Sequence, residues 1–337
     1  MQFDRRSLLA GALAAGSSWR AEGMMAPPPA NPEFNPSDVL PDAPEVISLW
    51  PGGVGPGRLH PIAQVIDERS KDPSMPDRAL HGISHPRMVV FRPKRANAAA
   101  VLITPGGGYA RVVIDREGYE MARWLAERGF TCFVLFYRLP GEGWASGPDT
   151  ALIDAQRAIR LIRHRAGEYG VDPARVAAMG FSAGGHLCAD LSSRFDAPVY
   201  APIDAADHLP ARPFCSAPAY PVVSMTPPLA HAGSRLQMLG ANPTTAQETV
   251  HSPNRNIPEN PPPHFLLHAE DDPVVPVGNT LTLRDALKAK GARVECHLFE
   301  LGGPGFGLRN TLGKPVAIWP QLWLNWAQTT GLVQMHS

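Results

Sequence analysis

Apolar and polar positions follow two different periods along the chain from about residue 85. Short apolar runs typical of strands are RMVVFRP, AAAVLITPGGG, TCFVLFYR, ARVAAMGFS, FCSAPAYPVV, HFLLHAEDD and RVECHLFE. Between them, apolar residues three and four apart predict helices over REGYEMARWLAERGF, DTALIDAQRAIRLIRHRAGEYG, AGGHLCADLSSRF, TLTLRDALKAKG and VAIWPQLWLNWAQTTG. The last helix contains Pro320, which can kink it. The alternation predicts an α/β fold with a mostly parallel twisted sheet and helices on both faces.

Two stretches interrupt this alternation and suggest how the chain is organised. Residues 27–84 are rich in Pro and Gly, and they predict an irregular N-terminal wrap around a main domain at 85–335. Residues 224–263, called the cap segment below, separate two core strands. An insertion there would lie over the carboxyl edge of the sheet, where open α/β sheets bind ligands.

The first 26 residues have the pattern of an export signal. Arg5 and Arg6 precede a short apolar run, Leu8 to Ala15, and small residues follow. The run is too short to span a bilayer, and the paired arginines resemble a twin-arginine signal. We therefore expect a periplasmic or secreted protein, with cleavage between Ala21 and Ala30. No later segment is apolar enough to predict a membrane span.

Composition excludes several classes of partner. The 337 residues contain 31 Lys plus Arg and 31 Asp plus Glu, so no charge excess favours binding to nucleic acid or membrane. The cysteines lie in apolar runs without metal-ligand spacing, which predicts buried free thiols at Cys132, Cys188, Cys215 and Cys296. We expect no metal and no organic cofactor, and the sequence does not predict an oligomeric state.

GFSAGG is the motif that carries the strongest chemical information. Glycines on both sides of Ser182 allow a strand to turn sharply into a helix and expose the serine hydroxyl. An apolar strand precedes the motif and a helical pattern follows it. This context predicts a nucleophile elbow, with Ser182 as the nucleophile.

Two further motifs predict partners for this serine. TPGGGY follows an earlier strand, and its glycines would let the amides of Gly107 and Gly108, with that of Ala183, bind an oxyanion; a flexible turn is the alternative. HAEDDPVVP ends a later strand with two carboxylates. Asp272 is our choice for the acid of a triad, with Asp271 as the alternative.

From about Trp50 to Trp326 the chain resembles α/β-hydrolase-fold esterases of the acetyl-xylan-esterase and feruloyl-esterase-like group. The resemblance rests on SLWPGG, ITPGGGY, REGYEMARWLAERGF, FYRLP, DAQRAIRLIRHRA, MGFSAGGHLCADL, PPPHFLLHAEDDPVVPVGNT and ELGGPGFGL. It implies an α/β-hydrolase fold and small acyl esters as substrates, including those of plant polysaccharide. It also assigns the roles already given to Ser182, Asp272 and the three amides.

One position departs from the pattern of this family. The family has Gly-Gly-His-Gly-Phe-Gly near the C-terminus, and here Pro304 stands in place of the histidine. Proline has no titratable side chain and cannot take the serine proton. His186, His268 and His297 lie in core patterns and predict structural roles. The cap segment and its border offer three candidate bases, His231, His251 and His264, whereas His60 and His81 lie in the wrap and His85 directly follows it.

The sequence therefore predicts a serine carboxylic-ester hydrolase whose activity is weak or lost. The alternative is a non-catalytic protein that binds carbohydrate or ester in the old pocket. A peptidase related to prolyl oligopeptidases is a third hypothesis, because DDPVVP also resembles that group.

Overall fold

The computed structural model describes residue 40 and residues 42–57 and 62–333. The expected export signal and residues 27–39 of the wrap lie outside the described residues. The strands are β1 (Val46–Ser48), β2 (Val65–Glu68), β3 (Arg78–His81), β4 (Arg87–Phe91), β5 (Ala100–Thr104), β6 (Val112–Val113), β7 (Thr131–Phe136), β8 (Val176–Phe181), β9 (Ser216–Ala219), β10 (His264–Ala269) and β11 (Val294–Phe299). The α-helices are α1 (Glu120–Ala126), α2 (Thr150–His164), α3 (Ser182–Ser193), α4 (Ala232–Leu239), α5 (Thr245–Val250), α6 (Gly278–Ala289) and α7 (Trp319–Thr330).

Eight strands form the central sheet in the order β1-β4-β7-β5-β8-β9-β10-β11. The six strands from β7 to β11 in this order run parallel to one another, and β4 and β1 pair antiparallel at one side. The predicted mostly parallel sheet with helices on both faces is thus confirmed. Because parallel strands end at the same edge, the loops after β5, β8 and β10 meet there.

The core follows the hydrophobic runs of the sequence. Every residue of β4, β5, β7 and β8 is buried, whereas β11 lies at the sheet edge and is partly exposed. α7 closes the domain by packing Trp323 against Phe130, with ring centroids 5.4 Å apart. Pro320 lies in the first turn of α7, where helices tolerate proline, so the kink considered from the sequence is absent from this helix.

The N-terminal wrap contains regular structure that the sequence did not reveal. The sequence predicts an irregular segment over 27–84, but β1 forms an edge of the main sheet, and β2 and β3 form a second antiparallel sheet with β6. β1, β2 and β3 have three or four residues each, and their surroundings are rich in Pro and Gly. Such short strands depend on pairing with distant residues, which a local pattern does not show.

Hydrogen bonds to a buried ion pair and to a buried arginine of the main domain hold the wrap in place. Arg138 and Asp154 are both fully buried, with Nη2 and Oδ1 2.8 Å apart. The indole N–H of Trp50 donates to the same carboxylate at 2.9 Å, and Arg157 donates to the carbonyl of Leu49. Removing one partner from a buried pair costs about 3–5 kcal/mol because the other charge stays buried. The described residues around Trp50 are therefore part of the folded unit.

The cap segment forms α4 and α5 between β9 and β10. α4 packs against the turn Pro140–Glu142, which lies beyond the carboxyl end of β7. The cap segment thus reaches the edge where we expect the site. None of the helices within the described ranges has the length and apolar character needed to cross a bilayer. The four cysteines are free as predicted, and only Cys296, on the edge strand, is incompletely buried.

Candidate active site

Ser182 occupies a strained strand-to-helix turn between β8 and α3. Its φ angle is +54°, in the left-handed region that residues with side chains seldom adopt. The flanking glycines are required by space. A β-carbon on Gly180 would overlap the carbonyl of Gly184, and one on Gly184 would overlap the carbonyls of Thr104 and Pro105. The turn therefore has the geometry of a nucleophile elbow, with the serine side chain only partly buried.

The glycine loop after β5 lies directly against this serine. A β-carbon on Gly106 would be 3.0 Å from Cβ of Ser182. Gly107 and Gly108 have φ angles of +133° and +68°, and within the described residues their amides have no hydrogen-bond acceptor. The amide of Ala183 lies in the first turn of α3, where amides lack an intrahelical acceptor. The loop that carries two of the predicted donors thus lies beside Ser182, at the N-terminal, positive end of α3.

His186, on α3, binds the residue that follows the glycine loop. The hydroxyl of Tyr109, next to Gly108, lies 2.7 Å from Nδ1 of His186, and Nε2 lies 2.8 Å from the carbonyl of His251. Because a carbonyl only accepts, Nε2 carries the proton and Nδ1 accepts from Tyr109. Burial lowers the pKa of His186 to about 4, so the ring is neutral. The structural role predicted for His186 is confirmed.

Asp272 follows β10 and presents a carboxylate with one unused oxygen. The amides of Val274 and Val275 donate to Oδ1 at 2.8 and 3.0 Å. Oδ2 is buried, and among the described residues it has no hydrogen-bond partner; Nε2 of His268 is 3.5 Å away. Burial acts to raise the pKa of Asp272, but His268 and the two amides outweigh it and keep the pKa below its ordinary value. Oδ2 is therefore an acceptor that lacks its donor.

Asp271, the alternative acid, has a different task. It is exposed, and its Oδ1 accepts hydrogen bonds from the amides of Gly302 and Gly303 at 2.8 and 2.7 Å. These contacts hold residues 302–307, called the base loop below, beside the end of β10. The adjacent carboxylates thus have different roles. Asp271 binds the base loop, and Oδ2 of Asp272 has no hydrogen-bond partner among the described residues.

The base loop is held at its other end as well. The ring of Phe306 packs edge-on against Tyr220 with centroids 4.5 Å apart. The amide of Gly307 donates to the Tyr220 hydroxyl at 3.1 Å, and the indole of Trp319 donates to the carbonyl of Gly307 at 3.0 Å. Pro304 lies exposed between these two anchors. The loop therefore stays attached to the site although its third residue offers no imidazole.

Three histidines outside the cap segment and one within it are excluded as replacements. In His268 both ring nitrogens are engaged, with the hydroxyl of Thr280 and the carbonyl of Val275. His264 begins β10, at the opposite end of that strand from Asp272, so the expectation that it could approach the site is wrong. His251 contacts Arg194 through Nδ1. His297 lies on the edge strand beside Glu295 and is partly exposed, so the prediction of a core position is wrong.

His231 is the histidine of the cap segment that does reach the site. Its Cε1 is 3.8 Å from where a β-carbon of Gly108 would lie. Burial lowers the pKa of His231, against the opposing effect of the Asp272 charge. Its Nδ1 accepts from the amide of Ser234 at 3.2 Å and caps α4. The neutral ring therefore carries its proton on Nε2, which can donate but cannot receive the proton of Ser182.

Glu117 and Tyr220 belong to the site but were missed at the sequence level. Glu117 lies in a π-helical turn, Asp115–Tyr119, that precedes α1. Its Oε2 accepts from the amide of Gly106 at 2.9 Å, and the hydroxyl of Tyr220 donates to Oε1 at 3.1 Å. An acid in the first turn of a predicted amphipathic helix is typical of an exposed position, so no local signal pointed to it.

A cavity of about 870 Å³ lies between β4 and α1, beside Phe91 and Arg123, and its lining includes none of the site residues. No group of three His, Cys, Asp or Glu residues suited to a metal ion occurs in the ranges that the structure describes. The strained serine on a mostly parallel sheet, with free amides beside it, defines an α/β-hydrolase-fold protein.

Comparisons with known proteins identify the family more closely. Residues 88–197 match the protein family described as BD-FAE. The chain is 35% identical over 215 residues to endo-1,4-beta-xylanase B of Butyrivibrio fibrisolvens, covering 62% of this chain and 33% of that protein. It is 30% identical over 226 residues to an acetylxylan esterase of Xylanibacter ruminicola, covering 66% of this chain and 44% of that protein. The chain thus spans less than half the length of either curated relative.

A solved structure extends the similarity to most of the chain. The acetyl ester-xyloside bifunctional hydrolase from Caldicellulosiruptor lactoaceticus is 31% identical, with a TM-score of 0.70 over 86% of this chain and 97% of that one. The chain belongs to the α/β-hydrolase-fold esterases that resemble acetylxylan esterases. The family predicted from the sequence is confirmed.

Proposed function

We propose that the protein hydrolyses small carboxylic esters, including acetyl esters of plant polysaccharide, through an acyl-enzyme on Ser182. The observation that carries this proposal is the left-handed Ser182 beside the glycine loop 106–108, in which the amides of Gly107 and Gly108 have no acceptor among the described residues. A pocket that only binds has no need of a strained serine, since such backbone strain costs about 1–3 kcal/mol. The similarity to an acetylxylan esterase supports an ester substrate, and it favours neither the binding-protein nor the peptidase hypothesis.

The reaction follows from the geometry in two halves. The hydroxyl oxygen of Ser182 bonds to the ester carbonyl carbon, and the carbonyl oxygen becomes an oxyanion bound by the amides of Gly107, Gly108 and Ala183. Each such donor contributes about 3 kcal/mol to the transition state. The carbon–oxygen bond to the alcohol then breaks, and the alcohol leaves with a proton. Water attacks the acyl-enzyme in the same way and releases the acid.

Removal of the Ser182 proton is the slow part of this reaction. In a complete triad a histidine between Ser182 and Asp272 would take it, and Pro304 cannot. We propose that it passes to solvent, which makes the reaction slow. Loss of the histidine from a comparable triad lowers turnover by about a million-fold, whereas an oxyanion hole retains roughly a thousand-fold over water.

A labelling experiment tests the proposal. A serine-directed phosphonate is expected to modify Ser182 slowly, and a small activated acyl ester is expected to turn over slowly. Both should disappear in Ser182→Ala, because the attacking oxygen is gone. Ser193→Ala, on the same helix, serves as the matched control and should retain both. Mass spectrometry that finds the phosphonate on another residue, or no label on folded protein, would contradict the proposal.

His231 provides a second arm of the same experiment. Because Nδ1 of His231 caps α4, we expect His231→Ala to leave the slow turnover in place and to lower only the stability of the cap segment. Loss of turnover in a folded His231→Ala protein would instead identify this histidine as the base.

We also propose that the protein is exported through its first 26 residues. The support is the sequence pattern alone, Arg5 and Arg6 before a short apolar run. Replacing both arginines with lysine should keep the precursor inside the cell, whereas the control Arg20→Lys should be exported. Equal cell fractionation of the two variants would argue against a twin-arginine signal.

A further inference from the structure

We propose that Glu117 is a positioning residue that sets both the oxyanion loop and the base loop relative to Ser182. This inference rests on the proposed function of the site. Glu117 would touch neither substrate nor reacting atoms. It would act through Gly106 on one side and through Tyr220 on the other.

The first link joins Glu117 to the oxyanion loop. Its Oε2 accepts from the amide of Gly106 at 2.9 Å. The same loop residue abuts the nucleophile, because a β-carbon on Gly106 would lie 2.6 Å from Oε2 of Glu117 and 3.0 Å from Cβ of Ser182. With its amide bound to Glu117, Gly106 is not available to an oxyanion. The next two amides, of Gly107 and Gly108, are the ones left free.

The second link joins Glu117 to the base loop. The hydroxyl of Tyr220 donates to Oε1 at 3.1 Å and accepts from the amide of Gly307 at 3.1 Å. A β-carbon on Gly305 would lie 3.5 Å from Oε1, so the loop also packs directly on the carboxyl group. Tyr220 itself has a φ angle of +36°, which shows that its position is imposed by its surroundings.

Burial makes these contacts strong and costly to lose. Glu117 is 3% exposed, and burial raises the pKa of its carboxyl group. A buried carboxylate needs its donors, and here one comes from the oxyanion loop and the other from Tyr220, which in turn binds the base loop. A displacement of about 1 Å in such a segment can lower turnover about a hundred-fold. The Glu117 side chain thereby fixes the positions of the oxyanion loop and the base loop relative to each other.

Two readouts separate the links. Labelling of Ser182 by the phosphonate needs only the nucleophile and the oxyanion loop, so it is measured in the chain with Pro304. Turnover that requires a base is measured in the Pro304→His background. We expect Glu117→Ala to lower both rates about a hundred-fold. Tyr220→Phe breaks only the second link, so it should lower turnover in Pro304→His and leave the labelling rate unchanged.

Two further variants distinguish a positioning role of Glu117 from a general effect on protein stability: a conservative replacement of Glu117 and the same replacement of another acid. Glu117→Gln keeps an acceptor for Gly106 and a polar partner for Tyr220, so it should restore most of what Glu117→Ala loses, chiefly in kcat. Glu142 is another acid, partly buried, that accepts a hydrogen bond from a glycine amide, that of Gly82. Glu142→Gln should leave both rates unchanged. Thermal melting of each variant identifies any that fail to fold.

The results that overturn the inference differ from those that overturn the proposed function. If Glu117→Ala folds and Ser182 is labelled at the parent rate, Glu117 does not position the oxyanion loop. If Tyr220→Phe keeps full turnover in Pro304→His, the second link is wrong. If Ser182 is not labelled in any folded chain, the proposed function fails, and this inference fails with it.

Discussion

Replacing Pro304 with histidine is expected to raise turnover of a small activated ester by about 10²- to 10⁴-fold, the usual contribution of a positioned general base. The parts that a histidine needs are already in place. The base loop is fastened by Asp271 on one side and by Tyr220 on the other. Among the described residues Oδ2 of Asp272 is buried without a hydrogen-bond donor, and an imidazole N–H would satisfy it. Steady-state kinetics of purified parent and Pro304→His protein give the ratio directly.

Pro304→Ala is the matched control, because it removes the proline ring without adding an imidazole. It should behave like the parent. Adding Ser182→Ala to Pro304→His should abolish the gain. A folded Pro304→His protein in which Ser182 is labelled by phosphonate but turnover stays at the parent level would show that the base loop does not face the serine. In that case the site has been placed wrongly at this position.

The elements that the sequence predicted well share one property: their signal is local. β8, the turn at Ser182 and α3 combine an apolar run, flanking glycines and a helical pattern within twenty residues. The spacing of glycines was informative because Gly180 and Gly184 have no room for a β-carbon. The absence of a histidine at position 304 was likewise visible from the residue itself.

The elements that the sequence did not predict depend on contacts between distant segments. β1 forms only because β4 is available as its partner, and Glu117 is buried only because Gly106 and Tyr220 bring donors to it. His297 has the pattern of a core strand, but β11 is the last strand of the sheet and one side has no neighbour. Periodicity describes which face of an element is apolar, and it does not describe what covers that face.

The orientation of histidine side chains required the structure for the same reason. His231 and His264 stand in or beside the cap segment, and only His231 reaches the glycine loop. Its tautomer is set by the amide of Ser234, three residues along the chain. The sequence does not show that His231 is the N-cap of α4 and that its ring nitrogen accepts this amide. His231 therefore lies close to the site but does not act as the base.

Asp272→Asn is expected to remove most of the gain in the Pro304→His background, a loss of up to about 10²- to 10⁴-fold, because an amide in place of the carboxylate holds the imidazole in the wrong tautomer. The carboxylate accepts an N–H at Oδ2 and leaves the other ring nitrogen free for the serine proton, whereas an asparagine can present its own N–H. The same substitution in the chain with Pro304 should change labelling of Ser182 little, since no imidazole is there to orient.

Asp271→Asn is the matched control for that result, since both changes remove one negative charge at adjacent positions. An asparagine at 271 keeps a carbonyl oxygen for the amides of Gly302 and Gly303, so the base loop should stay attached and turnover should fall only slightly. Kinetics of the two variants in the Pro304→His chain decide between the carboxylates. If Asp271→Asn proves the more damaging, the exposed acid orients the base, and the buried oxygen of Asp272 serves only the turn after β10.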